Sequence, residues 1–204
     1  MRSTGVLNFD FAAWKHRIAR AVSLAGHPFL VAPIALFLLL CLDQGEILIA
    51  WKWTSLCVVI VLLPALLYLR RKLRRKEYTD ADVSVREHRF GFYLFGAGCM
   101  LLCALALFLF RAPRVLLHGT ATSLMALFLA ILLNRFWTKI SIHAGTLVAI
   151  ATALSRYDAV LSSAFAVLAL LVCWSRLTLQ RHTPIQLLAG ALVGFTSVTL
   201  LFRP

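Results

Sequence analysis

Acidic side chains are scarce in this chain: 8 Asp and Glu stand against 21 Lys and Arg in 204 residues. Asp10, Asp43, Glu46, Glu77, Asp80, Asp82, Glu87 and Asp158 all fall in the N-terminal segment or between apolar runs. Proton- and cation-coupled transporters keep ionisable groups at membrane depth, so their absence there argues against a transporter. Charge of either sign is sparse, at 14% of residues, whereas 61% are hydrophobic and mean hydropathy is +0.87. That leaves too little polar surface for a soluble domain. The cysteines Cys41, Cys57, Cys99, Cys103 and Cys173 sit inside apolar runs without metal-ligand spacing, and imply neither zinc nor disulfides. No internal repeat, low-complexity tract or long linker interrupts the chain, so one membrane domain over 1–204 suffices.

Apolar runs cover Ser23–Leu42, Trp53–Leu69, Phe90–Phe110, Val115–Leu133, His143–Leu154, Ala159–Trp174 and Ile185–Phe202. Most approach the roughly 20 residues that a helix needs to cross the hydrocarbon core, and the fifth is short. A backbone without water must pair internally, so the expected fold is an all-α, polytopic bundle of about seven transmembrane helices. Residues 1–22 form a lead-in that Asp10, Lys15, Arg17 and Arg20 distinguish from a cleavable signal. Leu7, Phe11, Trp14 and Ile18 recur there at helical spacing, which fits an interfacial amphipathic helix or a plain cytoplasmic approach to the first span.

Lysine and arginine alternate between loops. One side receives Lys15 to Arg20, Arg70 to Arg89, Arg135, Lys139, Arg176 and Arg181; the other receives Lys52, Arg111, Arg114, Arg156 and Arg203. The positive-inside rule puts the N-terminus and both histidine loops on the cytoplasmic face of the cell membrane. The polar groups gather in three loops on that face, Lys76 to Arg89, Arg135 to His143 and Ser175 to Gln186. An even number of spans separates each from the next.

Two histidines and several arginines on one face suit phosphoryl transfer. The guanidinium fork pairs with phosphate oxygens and stays charged. One neutral imidazole can attack phosphorus while a protonated one donates to the departing alkoxide.

The residues also carry a resemblance. Ser175-Arg176, five residues, then His182 is similar to the third motif of the type 2 phosphatidic acid phosphatase superfamily, with Gln186 at the family's Asp position. Ser141 and His143 match the second motif, Pro-Ser-Gly-His, with Ile140 and Ile142 replacing Pro and Gly. Aligning the first motif on Arg89 puts Asp82 at its lysine and Phe90 at its proline. The resemblance covers roughly residues 76–194, the phosphatase-like core.

It implies that His182 is the nucleophile, His143 the acid for the leaving group and Arg176 the phosphate ligand. Ser141, Arg89, Arg86 and Lys139 would complete the phosphate pocket, Lys139 in place of the missing lysine. Gln186 and Ser175 would orient. Asp80 and Asp82 are either a substitute acid, a metal contact, or loop-pairing residues. The function so implied is hydrolysis of a membrane lipid phosphate, phosphatidate-like or polyprenyl, through a phosphohistidine, with no cofactor and no obligatory metal. Lipid phosphotransfer and noncatalytic lipid binding are the alternatives. The expected partners are the lipid substrate and surrounding lipids, not nucleic acid. Gly190 and Gly194 have GxxxG spacing, which means close helix packing and leaves a homodimer open. His16, His27, His88 and His118 have no partner that spacing reveals.

Overall fold

Helix ends in this chain are written in local chemistry. Thr183, Pro184 and Gln186 build a capping box that starts a helix at Pro184, and Asp158 and Ser141 accept from Leu161 N and Ala144 N at two other starts. His27 caps the helix beginning at Pro28, which ends on Gly45 at φ 69°, a left-handed position suited to glycine. The computed structural model describes residues 11–203. The order is α1 (Phe11–Ala25), α2 (Pro28–Gln44), α3 (Ile47–Cys57), a π-helical turn (Val58–Leu62), α4 (Leu63–Arg74), α5 (Arg86–Leu109), α6 (Arg114–Phe136), α7 (Ile142–Leu154), α8 (Ala159–Thr178) and α9 (Pro184–Leu201). The all-α expectation holds, with no strand among the described residues.

The stretch Ile47–Arg74, α5, α6, α8 and α9 are each long and apolar enough to cross a bilayer. Their outward faces carry large apolar side chains, such as Val160 at 78% and Leu170 at 72% exposure, a surface that lipid covers and water would not. The protein is a multi-pass membrane protein. Sequence reading expects seven spans, and the structure differs at two. The first expected span, Ser23–Leu42, is broken at Gly26-His27, where α1 and α2 meet at 45°. Pro28 pushes His27 into extended backbone, and α1 and α2 count as a sixth span only if taken together. The fifth expected span is α7, whose 13 residues reach about 20 Å, short of the ~30 Å hydrocarbon core.

Of the amphipathic N-terminal pattern, Leu7 lies outside the described residues, whereas Phe11, Trp14 and Ile18 lie on α1. That helix runs on to Ala25 and packs on α8, burying Ala19 and Ser23. Gly26 is required at the break, since a Cβ there would stand 2.2 Å from Val172 Cγ2.

The interior is organised around α7, which packs against α8 and α9. The α7–α9 contact is close enough that a Cβ on Gly194 would lie 2.1 Å from Gly145 O, and one on Gly190 2.3 Å from Ser141 O. The GxxxG spacing in α9 therefore serves packing within the chain, and it fixes the two histidine-bearing helix starts side by side.

Candidate active site

All three polar loops meet at the start of α7. Arg89, on the first turn of α5, donates from Nε to Val83 O at 2.8 Å and from Nη1 to Ile140 O at 2.7 Å, tying the first loop to the second. Ser141 N donates to Gln186 O at 3.0 Å, tying the second to the third. Arg176, near the end of α8, closes the ring through Nη1, which donates to Asp82 Oδ2 at 2.8 Å and to Ser23 Oγ at 3.0 Å. The charged groups are deeply placed: Arg176 is 2%, Arg89 4%, His143 6% and His182 7% exposed. Buried cations of this density, with one carboxylate among them, make a site for an anion.

Val83 takes φ 47°, a left-handed conformation that a β-branched residue avoids, and its side chain is buried. Val83 N bonds Asp80 O, and Asp80 Oδ1 accepts from Asp82 N at 2.9 Å and Ser84 Oγ at 3.0 Å. Asp80 therefore shapes the loop that presents Asp82, and Asp82 reaches Arg176.

His182 sits between the third loop and α9. Its Nδ1 lies 3.2 Å from Gln186 Oε1, while Gln186 Nε2 donates to Thr138 Oγ1 at 3.2 Å. The amide oxygen thus faces the ring, so Nδ1 carries the proton and Nε2 holds the free lone pair. Burial first, then the charges of Arg176 and Arg89, push the His182 pKa down to about 4, so the ring is neutral at physiological pH. Burial tends to raise Asp82, but the charge and hydrogen bond of Arg176 outweigh it and hold the carboxyl below its usual range. Lys139 is lowered, by burial first and then by Arg89, and its Nζ lies 3.5 Å from Ser84 O.

His143 occupies the first turn of α7, with Nε2 buried and without a hydrogen-bond partner among the described residues. Its ring meets that of His27 edge-on, with centroids 5.0 Å apart. His27, Asp82 and His143 bring donor atoms within 4.8 Å of one another, a set that can hold a divalent ion. His27, Ser23 and Thr138 are absent from the residues picked out by sequence. His27-Pro28 reads as a helix start, but nothing in its spacing points to a histidine more than a hundred residues away.

Two of the expected pocket residues, Arg86 and Ser141, and the expected orienting residue Ser175 make hydrogen bonds of their own. Arg86 donates from Nε to Asn134 O at 2.6 Å and from Nη2 to Arg135 O at 3.1 Å, securing the end of α6. Ser175 Oγ donates to Val172 O within its own helix, and Ser141 Oγ accepts from Ala144 N at 3.4 Å.

Fold and site together define a helical, multi-pass membrane protein with a buried cationic pocket holding two histidines. Residues 117–203 match the family model of the PAP2 superfamily, the same family that the histidine motifs resemble. The matched stretch contains Ser141, His143, Arg176, His182 and Gln186, and excludes Arg89 and Asp82. No curated protein and no solved structure matches the chain.

Proposed function

We propose that the protein hydrolyses the phosphate ester of a membrane lipid through a phosphohistidine, at the cytoplasmic face of the cell membrane. The observation that carries this reading is His182, neutral and held by Gln186, within the field of the buried Arg176 and Arg89. Its Nε2 lone pair attacks phosphorus in line with the leaving alkoxide, forming the N–P bond as the P–O bond breaks. The guanidiniums of Arg176 and Arg89 balance the charge on the equatorial oxygens. Burial first, then the charge of Arg176, pushes the His143 pKa down to about 3, so its ring too is neutral until a substrate phosphate offsets the neighbouring cations and lets it take up a proton. His143 then gives that proton to the alkoxide; neutral again, it takes a proton from the water that attacks the phosphohistidine, releasing phosphate and restoring His182.

Lys139 supplements the pocket where the superfamily's first-motif lysine is missing. Cytoplasmic placement is supported by the basic loops of the same face. Gln186 orients His182 and carries no charge, so the imidazolium-like transition state has less stabilisation than a carboxylate would give.

The test is phosphate release by purified protein in mixed micelles across a panel of lipid phosphates, beside rapid-quench labelling with a radiolabelled substrate. Wild type should form an acid-labile, base-stable phosphoenzyme, and His182→Ala should form none and lose at least about a thousandfold in turnover. Undiminished turnover in His182→Ala would end this mechanism. Label trapped in wild type but passed to an added alcohol rather than to water would indicate a phosphotransferase.

A further inference from the structure

Between α2, the π-helical turn, α5, α6, α7 and α9 lies an apolar cavity of about 490 Å³. One end is lined by Ser141 and Gly190, beside the buried histidines, and the other by Leu154 and Phe202, at the far ends of α7 and α9. The space is partly open rather than enclosed, and walls this apolar do not retain water, so hydrocarbon is the occupant they suit.

We infer that this cavity holds one hydrocarbon chain of the substrate, of roughly 16 carbons, and that Gly96 and Gly119 set its length. The inference rests on the reading of the buried site as a lipid-phosphate site, and deepens it. Two dimensions support the size. A methylene takes about the volume of a water in the liquid, about 30 Å³, so 490 Å³ accommodates about 16 of them. The cavity also follows the 13 residues of α7, about 20 Å, slightly more than the ~15 Å depth of one leaflet that such a chain spans. A long polyprenyl chain would overfill it severalfold. The deep phosphate site makes entry necessary: a headgroup drawn beneath the surface to His182 must bring the first part of its tail with it, and the Ser141 end of the cavity is joined to that point through Gln186, whose carbonyl accepts from Ser141 N and whose side chain holds His182. A second chain, where present, stays in the bilayer.

Both glycines line the cavity and face open space. Nothing lies within 4 Å of a Cβ placed on Gly119, and one on Gly96 meets only Leu127 Cδ2, at 3.9 Å. Larger side chains there fill the cavity without forcing helices apart. Gly119 lies one turn beyond Val115 and Leu116 at the start of α6, the end remote from the histidines, whereas Gly96 lies midway along α5.

The experiment measures kcat/KM for single-chain alkyl phosphates from 8 to about 22 carbons with wild type, Gly119→Phe and Gly96→Phe, using His182→Ala as the blank. Wild type should peak near 16 carbons, about the chain that fills the cavity. Gly119→Phe should lower the ratio of the 16-carbon to the 8-carbon substrate at least about tenfold, and Gly96→Phe should move the optimum to still shorter chains. A flat wild-type profile, or one that neither substitution moves, overturns the inference. If wild type releases no phosphate from any member, the hydrolase reading fails. The cavity is then judged by native mass spectrometry of the bound alkyl phosphates, where the same chain-length shifts support it and unchanged ladders overturn it.

Discussion

Arg176 and Asp82 form a half-buried ion pair, Nη1 to Oδ2 at 2.8 Å, with the guanidinium 3% and the carboxylate 21% exposed. A carboxylate offers an arginine the same pair of acceptor oxygens as a phosphate, so Asp82 occupies Arg176 and, on the proposed function, must yield or share it when substrate binds. Asp82 thus gives the arginine an internal competitor for an entering anion.

Asp82→Asn should therefore tighten inhibition by inorganic phosphate severalfold while lowering stability by about 1–2 kcal/mol, less than a fully buried pair because Asp82 is partly exposed. The pH dependence has a definite sign. A carboxyl lowered in the folded state adds stability above its unfolded value and loses it as pH falls through the lower folded one. Thermal melts of wild type below pH 4 should fall more steeply than those of Asp82→Asn. Equal slopes would show that the pair contributes nothing to acid sensitivity.

His182 should set an acid limb far below that of an ordinary histidine. With its pKa near about 4, kcat/KM, corrected for ionisation of the substrate, should stay level from pH 7 down to about 5. Gln186→Glu keeps the length of the side chain and adds a charge beside Nδ1, so the limb should move up by about a unit or more. Gln186→Ala should lower kcat about ten- to a hundredfold through lost orientation without that upward move. A limb near 6.5 in wild type would contradict the burial and cationic field seen at His182.

The close α7–α9 contact predicts a sharp contrast between glycines. Gly194→Ala drives a Cβ to 2.1 Å from Gly145 O, parting the helices that carry His143 and His182, whereas Gly98→Ala meets nothing within 4 Å. The first should cost more than about 2 kcal/mol and most of the activity, and the second should change neither appreciably. Melting temperature in detergent and phosphate release on the same preparations provide the check.

His27, Asp82 and His143 predict how the protein responds to metal. A chelator should leave turnover intact if, as proposed, arginine and histidine carry the reaction. Added Zn²⁺ should inhibit by coordinating neutral His143 before it can take up a proton, and His27→Ala should weaken that inhibition at least about tenfold by removing one of three donors. Loss of activity on chelation, restored by magnesium, would instead place Asp82 in a catalytic metal site.

Much of this protein was legible from local pattern. Apolar runs give the helices because a bilayer leaves the backbone no other partner, and Thr183-Pro184-Ile185-Gln186 announces the start of α9 by capping chemistry alone. The spacing of Arg176 and His182 and the pairing of Ser141 with His143 mark the two histidine loops, since each motif lies within one helix terminus. What sequence could not supply was the break at Gly26-His27, where a run of span-like length bends because Pro28 and the close approach of Val172 act together. Nor could it separate Arg86, bound to the carbonyls ending α6, from Arg89, aimed at Ile140; both are arginines in one loop, and only the partner across the fold distinguishes them.

The sequence by itself determined the membrane setting, the helical class and the two histidine motifs, because each depends on composition or on contacts within a few residues. Tertiary structure alone decided that Asp82 holds Arg176, that Gly145, Gly190 and Gly194 set α7 against α9, and that His27 reaches His143. Those relationships join residues far apart in the chain, and their energies come from burial and close approach, which no local spacing encodes.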